Sequence, residues 1–108
     1  MFLLVSNVPG SVSTSIAQSL VEEKRAACVT ATPVMSVYEW DGKVHVDEEV
    51  TLTIKVSAEA IEGTKKRLVE LHPYELPEVL AIPIDVEQSH GPYVEWVKDK
   101  CSTDKHEK

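Results

Sequence analysis

Tyr38-Glu39-Trp40-Asp41-Gly42-Lys43-Val44-His45-Val46-Asp47-Glu48-Glu49-Val50-Thr51-Leu52-Thr53-Ile54-Lys55-Val56 joins a turn signal to an alternation, and the pair decides the fold. Asp-Gly is favoured in two-residue hairpin turns because both central residues take positive φ. After the turn, Val50, Leu52, Ile54 and Val56 alternate with Thr51, Thr53 and Lys55, a period of two that buries one face of a strand and leaves the other polar. Before it, residues 26–40 are rich in Ala, Val, Thr, Tyr and Trp and read as the outgoing arm. The return arm, 42–56, exceeds the roughly 5 or 6 residues of a typical strand. An arm of that length is an aggregation hazard unless another subunit pairs with it, so the pattern predicts an oligomer.

Outward from the hairpin, residues 2–8 form a short apolar strand ended by Pro9-Gly10. From Ser11, the residues Ile16, Ala17, Leu20 and Val21 recur at helical spacing, with Ser11, Ser13, Thr14 and Ser15 as cap candidates. Ser57 is placed to cap a second helix on which Ile61, Leu68 and Leu71 share a face, Gly63 weakens its middle, and Pro73 ends it. Leu80, Ile82, Ile84 and Val86 alternate over 79–86, where Pro83 requires an edge strand or a bulge. Pro92 suits the first turn of a last helix with Tyr93, Trp96 and Val97 as its packing face. The order βαββαβ closes as an α+β, ferredoxin-like sandwich, a four-stranded antiparallel sheet with two helices on one face and an added C-terminal helix. One domain is expected over 1–101, followed by a polar tail over 102–108.

The 108 residues, 43% hydrophobic and 27% charged, are ordinary globular material. A net charge of −7 disfavours nucleic acid, and the basic run Lys65-Lys66-Arg67 reads as a solvated helix face. No stretch approaches the roughly 18–20 apolar residues of a spanning helix, and the first residues lack the pattern of a signal peptide, so a cytoplasmic protein without a membrane partner is expected. Cys28 and Cys101 lie far apart outside any C-x-x-C pair, which suits a reducing compartment. Cys28 is expected to pack in the core and Cys101 to be an unpaired surface thiol.

Leu71-His72-Pro73-Tyr74-Glu75-Leu76-Pro77-Glu78 packs an imidazole, a phenol, two carboxylates and two prolines into eight residues, and the prolines stiffen the chain. This run, with Leu20-Val21-Glu22-Glu23, Arg25-Ala26-Ala27-Cys28-Val29, Tyr38-Glu39-Trp40-Asp41-Gly42-Lys43, Glu48-Glu49-Val50 and Ile54-Lys55, resembles the CutA divalent-cation tolerance family over about residues 2–98. The resemblance implies a tight homotrimer in which the hairpin arms extend sheets across subunits, a PII-like architecture, a part in tolerance of copper and other divalent metals, and no enzymatic activity. Members proposed to bind copper carry a thiol near the end of strand one and a second histidine before His-Pro-Tyr. Those positions here are Ser6 and Leu71, so His72 alone is left as a metal ligand, and a hydroxyl is a poor ligand for copper(I).

In such a trimer His72, Tyr74, Glu75 and Glu78 are expected to line a subunit cleft near Lys55, Tyr38 and Trp40. Three readings stay open for it: a divalent-cation or copper site on His72, a pocket for a small anionic metabolite near Lys55 with a PII-like signalling partner, or a structural cluster in which His72 caps the helix end. An acid–base enzyme using His72 and Glu75 would need a closed pocket. His45, Asp47 and Glu49 share one strand face and are read first as solvated charges, with chelation of a divalent ion as the sharper alternative. Tyr93 and Trp96 are read as packing rather than as a stacking platform.

Overall fold

Asp41 and Gly42 take φ of 59° and 79°, the left-handed conformation that an Asp-Gly hairpin turn requires, and Trp40 pairs with Lys43 across it. The computed structural model describes residues 1–101, and the tail expected over 102–108 lies outside the described residues. The elements are β1 (Phe2–Val8), α1 (Gly10–Glu22), β2 (Cys28–Trp40), β3 (Lys43–Val56), α2 (Ile61–Leu71), β4 (Leu80–Pro83) and α3 (Gly91–Lys100). The strands form one antiparallel sheet in the order β2-β3-β1-β4, with β1 in the interior. Both outer strands carry a proline, Pro33 in β2 and Pro83 in β4, where the missing N–H costs no ladder bond. None of the described helices is long and apolar enough to cross a membrane.

Side-chain alternation assigns the two sheet faces. Leu4, Ser6 and Val8 of β1 and Leu52, Ile54 and Val56 of β3 are buried with Ile16 and Leu20 of α1, Leu68 of α2 and Val97 of α3. The same face continues along the hairpin past Val50, but no described residue covers it there: Met35, Val37, Val44 and Val46 are 66%, 60%, 71% and 61% exposed. The opposite, open face carries Asn7, Thr51 and the polar residues described below.

Several local expectations are corrected. The serines near the start of α1 do not cap it: the N-cap is Pro9, and the Ser13 and Ser15 hydroxyls donate back to the carbonyls of Gly10 and Val12. Ser57 accepts from the Ala60 amide, but α2 starts only at Ile61, so it caps the preceding turn. The fourth strand is shorter than 79–86, because Asp85 accepts from the Glu87 and Gln88 amides and turns the chain. α3 packs through Val97, while Tyr93 and Trp96 stack on each other facing outward. Cys101 is buried rather than at the surface, and that burial raises its thiol pKa. Cys28 is only half-buried, with its Sγ 3.9 Å from Lys55 Nζ.

Within the basic run, Lys65 and Lys66 face solvent, but Arg67 holds the end of α1 by paired bonds of 2.9 and 3.0 Å to Glu23. The Arg67 guanidinium keeps the Glu23 carboxyl below its ordinary value of 4.5. A lowered folded pKa means that the pair stabilises the fold above pH 4.5 and that this contribution is lost as pH falls through the lower folded value. A Glu23→Gln variant should therefore be less stable than wild type near neutrality and converge with it on acidification. Urea midpoints measured across that range check this, and a gap that persists unchanged in acid would contradict it.

Candidate functional site

β4 pairs with β1 only as far as Val5, so the outer edge of β1 is without a strand partner at Asn7. The loop after α2 supplies side chains in place of a strand. Glu78 Oε1 accepts from the Asn7 amide at 2.7 Å, and His72 Nε2 lies 2.9 Å from the Asn7 carbonyl, which can only accept, so Nε2 carries the proton and donates. The Tyr74 amide donates to His72 Nδ1 at 3.2 Å. Both ring nitrogens of a histidine that is 7% exposed are thereby engaged, and neither presents a lone pair to an ion. Its backbone amide, not its ring, closes the helix by donating to Leu68, which corrects the expectation of a side-chain cap.

From His72 the loop crosses the strand edge to the open face. There Tyr74 Oη donates to Glu49 Oε2 at 2.5 Å and Tyr38 Oη donates to Asp47 Oδ2 at 2.5 Å. Burial, followed by the hydrogen bond to Glu49, raises the Tyr74 phenol pKa, and the bond to Asp47 does the same for Tyr38. Both phenols therefore stay protonated and keep donating through the neutral range. The Asn7 side chain ties the floor together, accepting from Thr51 Oγ1 at 2.6 Å and donating to Ser36 Oγ at 3.3 Å.

The result is a cavity of about 620 Å³ lined by Tyr38, Trp40, Tyr74 and Val37, by the carboxylates of Asp47, Glu49, Glu75 and Glu78, and by Asn7, Ser36 and Leu76. Among the described residues no lysine, arginine or histidine lines it. Of the expected cleft residues, the fold gathers Tyr38, Trp40, Tyr74, Glu75 and Glu78; His72 lies behind the wall. Lys55 is not brought there: it pairs with Leu3 and Cys28 near the opposite end of β3, about 20 Å along the strand from Glu49 at roughly 3.3 Å per residue. Asp47 and Glu49 do share a face, yet Glu49 is buried rather than solvated and each bonds a different tyrosine, while His45 stacks on Tyr38 at 5.3 Å. Asn7 and Ser36 were missed, although a lone amide in an otherwise apolar strand was a usable signal.

A soft-metal site does not fit these residues. Position 6 offers a buried hydroxyl with no hydrogen-bond partner instead of a thiolate, His72 is spent on Asn7 and Tyr74, and among the described residues no three His, Cys, Asp or Glu side chains gather closely enough to hold an ion.

Residues 2–100 match the model of the family described as CutA1 divalent ion tolerance protein. The chain is 43% identical over 90 residues to a protein CutA homolog from Xenopus laevis, covering 82% of this chain and 58% of that relative. It is 37% identical over 98 residues to a divalent-cation tolerance protein CutA from Thermus thermophilus, covering 90% and 93%. Thus the chain spans less than two thirds of the vertebrate relative and nearly all of the bacterial one. Among solved structures it superposes on the PII-like protein CutA from Nostoc sp. PCC 7120 in apo form, with a TM-score of 0.93 and 44% identity, over 95% of this chain and 99% of that one.

Proposed function

The chain belongs to the CutA1 divalent ion tolerance family, and from that premise we propose a non-enzymatic, cytoplasmic homotrimer that serves cation tolerance by taking up cations in its carboxylate clefts. One observation carries the cation reading: among the described residues the cavity is lined by four carboxylates and no basic side chain. In a recess walled by low-dielectric protein, such a set focuses a negative potential and raises the local cation concentration. Hard oxygen donors favour oxygen-preferring cations over copper(I). Since the carboxylates do not converge within one chain, a metal ion is held by their field through its hydration shell rather than by direct bonds. The trimer reading rests on the uncovered apolar end of the hairpin. The alternative of an anionic metabolite is not favoured, because Lys55, the cation it would use, lies away from the cavity.

Equilibrium dialysis against manganese(II), zinc(II) and copper(II) at low ionic strength tests this, with an Asp47→Asn/Glu75→Gln variant beside the wild type. The substitutions remove charge while leaving an amide oxygen at position 47 able to accept from Tyr38. Weak uptake of all three ions, falling severalfold in the variant and with added salt, is expected. Tight uptake of copper alone, abolished by His72→Ala and untouched by the double variant, would move the site to His72 and overturn the carboxylate assignment.

A further inference from the structure

A bare metal ion leaves most of this cleft unexplained. The cavity, at about 620 Å³, is within the range of roughly 300–1,000 Å³ typical of organic ligands and far larger than an ion requires. Its carboxylates are spread along the wall and do not converge. Three of them are fixed from behind: Asp47 by Tyr38, Glu49 by Tyr74 and Glu78 by the Asn7 amide, each through one oxygen, so the other oxygen remains as an acceptor. Between these groups lie aromatic and aliphatic surfaces from Tyr38, Trp40 and Leu76.

From this arrangement we propose that the cleft is a site for a linear organic polyammonium ion, a diamine or polyamine, in preference to a metal. Each terminal ammonium brings three N–H donors, each internal one two, and every one a positive charge, which asks only that acceptors be spaced along the ligand. The methylene segments between ammoniums cover Leu76 and the aromatic rings, and an ammonium over Trp40 or Tyr38 gains cation–π attraction that a hydrated metal ion forgoes. An anion would meet four like charges, and a neutral ligand would leave them uncompensated. The inference rests on the reading of the cleft as a cation site and specifies the class of cation.

Isothermal titration of the full chain with spermidine, with linear diamines of increasing length and with magnesium and manganese, at matched ionic strength, tests it. Spermidine is expected to bind at least about tenfold more tightly than either metal, and the diamines to show an optimum in length, because fixed carboxylates select a nitrogen-to-nitrogen distance. Trp40→Ala should weaken spermidine about threefold to tenfold, and by a larger factor than it weakens manganese. Glu75→Gln, in the exposed loop, should weaken both, and circular dichroism of each variant guards against misfolding. Metal uptake with spermidine no tighter than magnesium would overturn the polyammonium assignment and leave the cation cleft standing. Spermidine binding without a length optimum, and unaffected by Trp40→Ala, would overturn it as diffuse charge attraction. Binding of neither class would overturn both readings.

Discussion

Val46→Asp is expected to turn the assembled protein into a folded monomer. Val46 and its cross-strand neighbour Val37 lie on the face that packs against helices further down the sheet, and none of the described helices reaches them. In an isolated chain both are surface positions, where a polar substitution changes stability by no more than about 0.5 kcal/mol. In the proposed trimer they are covered by a neighbour, and an uncompensated carboxylate buried there costs several kcal/mol at each copy of the interface, on the order of 3–5 kcal/mol. The two situations give opposite results from one variant. Sedimentation equilibrium should show the wild type as a trimer and Val46→Asp as a monomer with an unchanged circular dichroism spectrum. The wild-type melting temperature should rise with protein concentration, since association stabilises only the folded state. A variant with the mass of the wild type, or a concentration-independent wild-type transition, would remove the hairpin from the interface.

His72→Ala should be the most damaging single change around the loop, and damaging for a structural reason. It deprives the Asn7 carbonyl of its donor and the Tyr74 amide of its acceptor, and it leaves a void where a nearly fully buried ring stood. Two hydrogen bonds at about 1 kcal/mol each, with unpaired backbone groups and lost packing added, give a loss of roughly 2–4 kcal/mol. Glu78→Gln should cost much less, because the amide oxygen still accepts from Asn7. Urea midpoints at equal protein concentration measure both variants, and amide exchange at Asn7 and Tyr74 should accelerate in His72→Ala. Native protection at those amides would show that the ring does not hold the strand edge. For the same reason, metal uptake lost in His72→Ala implicates the ring as a ligand only if the variant is shown to be folded and assembled at the concentration used.

Residues that act through the backbone were readable in the sequence. Asp41-Gly42 demands a left-handed turn wherever it sits, the Val50–Val56 alternation demands a strand with two unlike faces, and Pro83 and Pro92 have few places to go. Such signals are local, because φ, ψ and periodicity are properties of a few adjacent residues. Cys101 was misread for the opposite reason: its burial depends on how α3 is laid against the core, which no neighbouring residue encodes.

The candidate site divides along the same line. From the sequence alone came the family resemblance, the stiff loop at 72–78, the long hairpin and the two tyrosines and two carboxylates that end up together. Tertiary structure decided the rest: that His72 bonds to Asn7, from which it is separated by 65 positions, that Asp47 and Glu49 join the loop carboxylates in one cavity, and that Lys55 stays out of it. The physical reason is that a side chain's role is set by what it meets on folding. Which strand edge is left unpaired, and which side chains of a distant loop satisfy it, follows from the register of β4 against β1 and not from the residues on either side of His72.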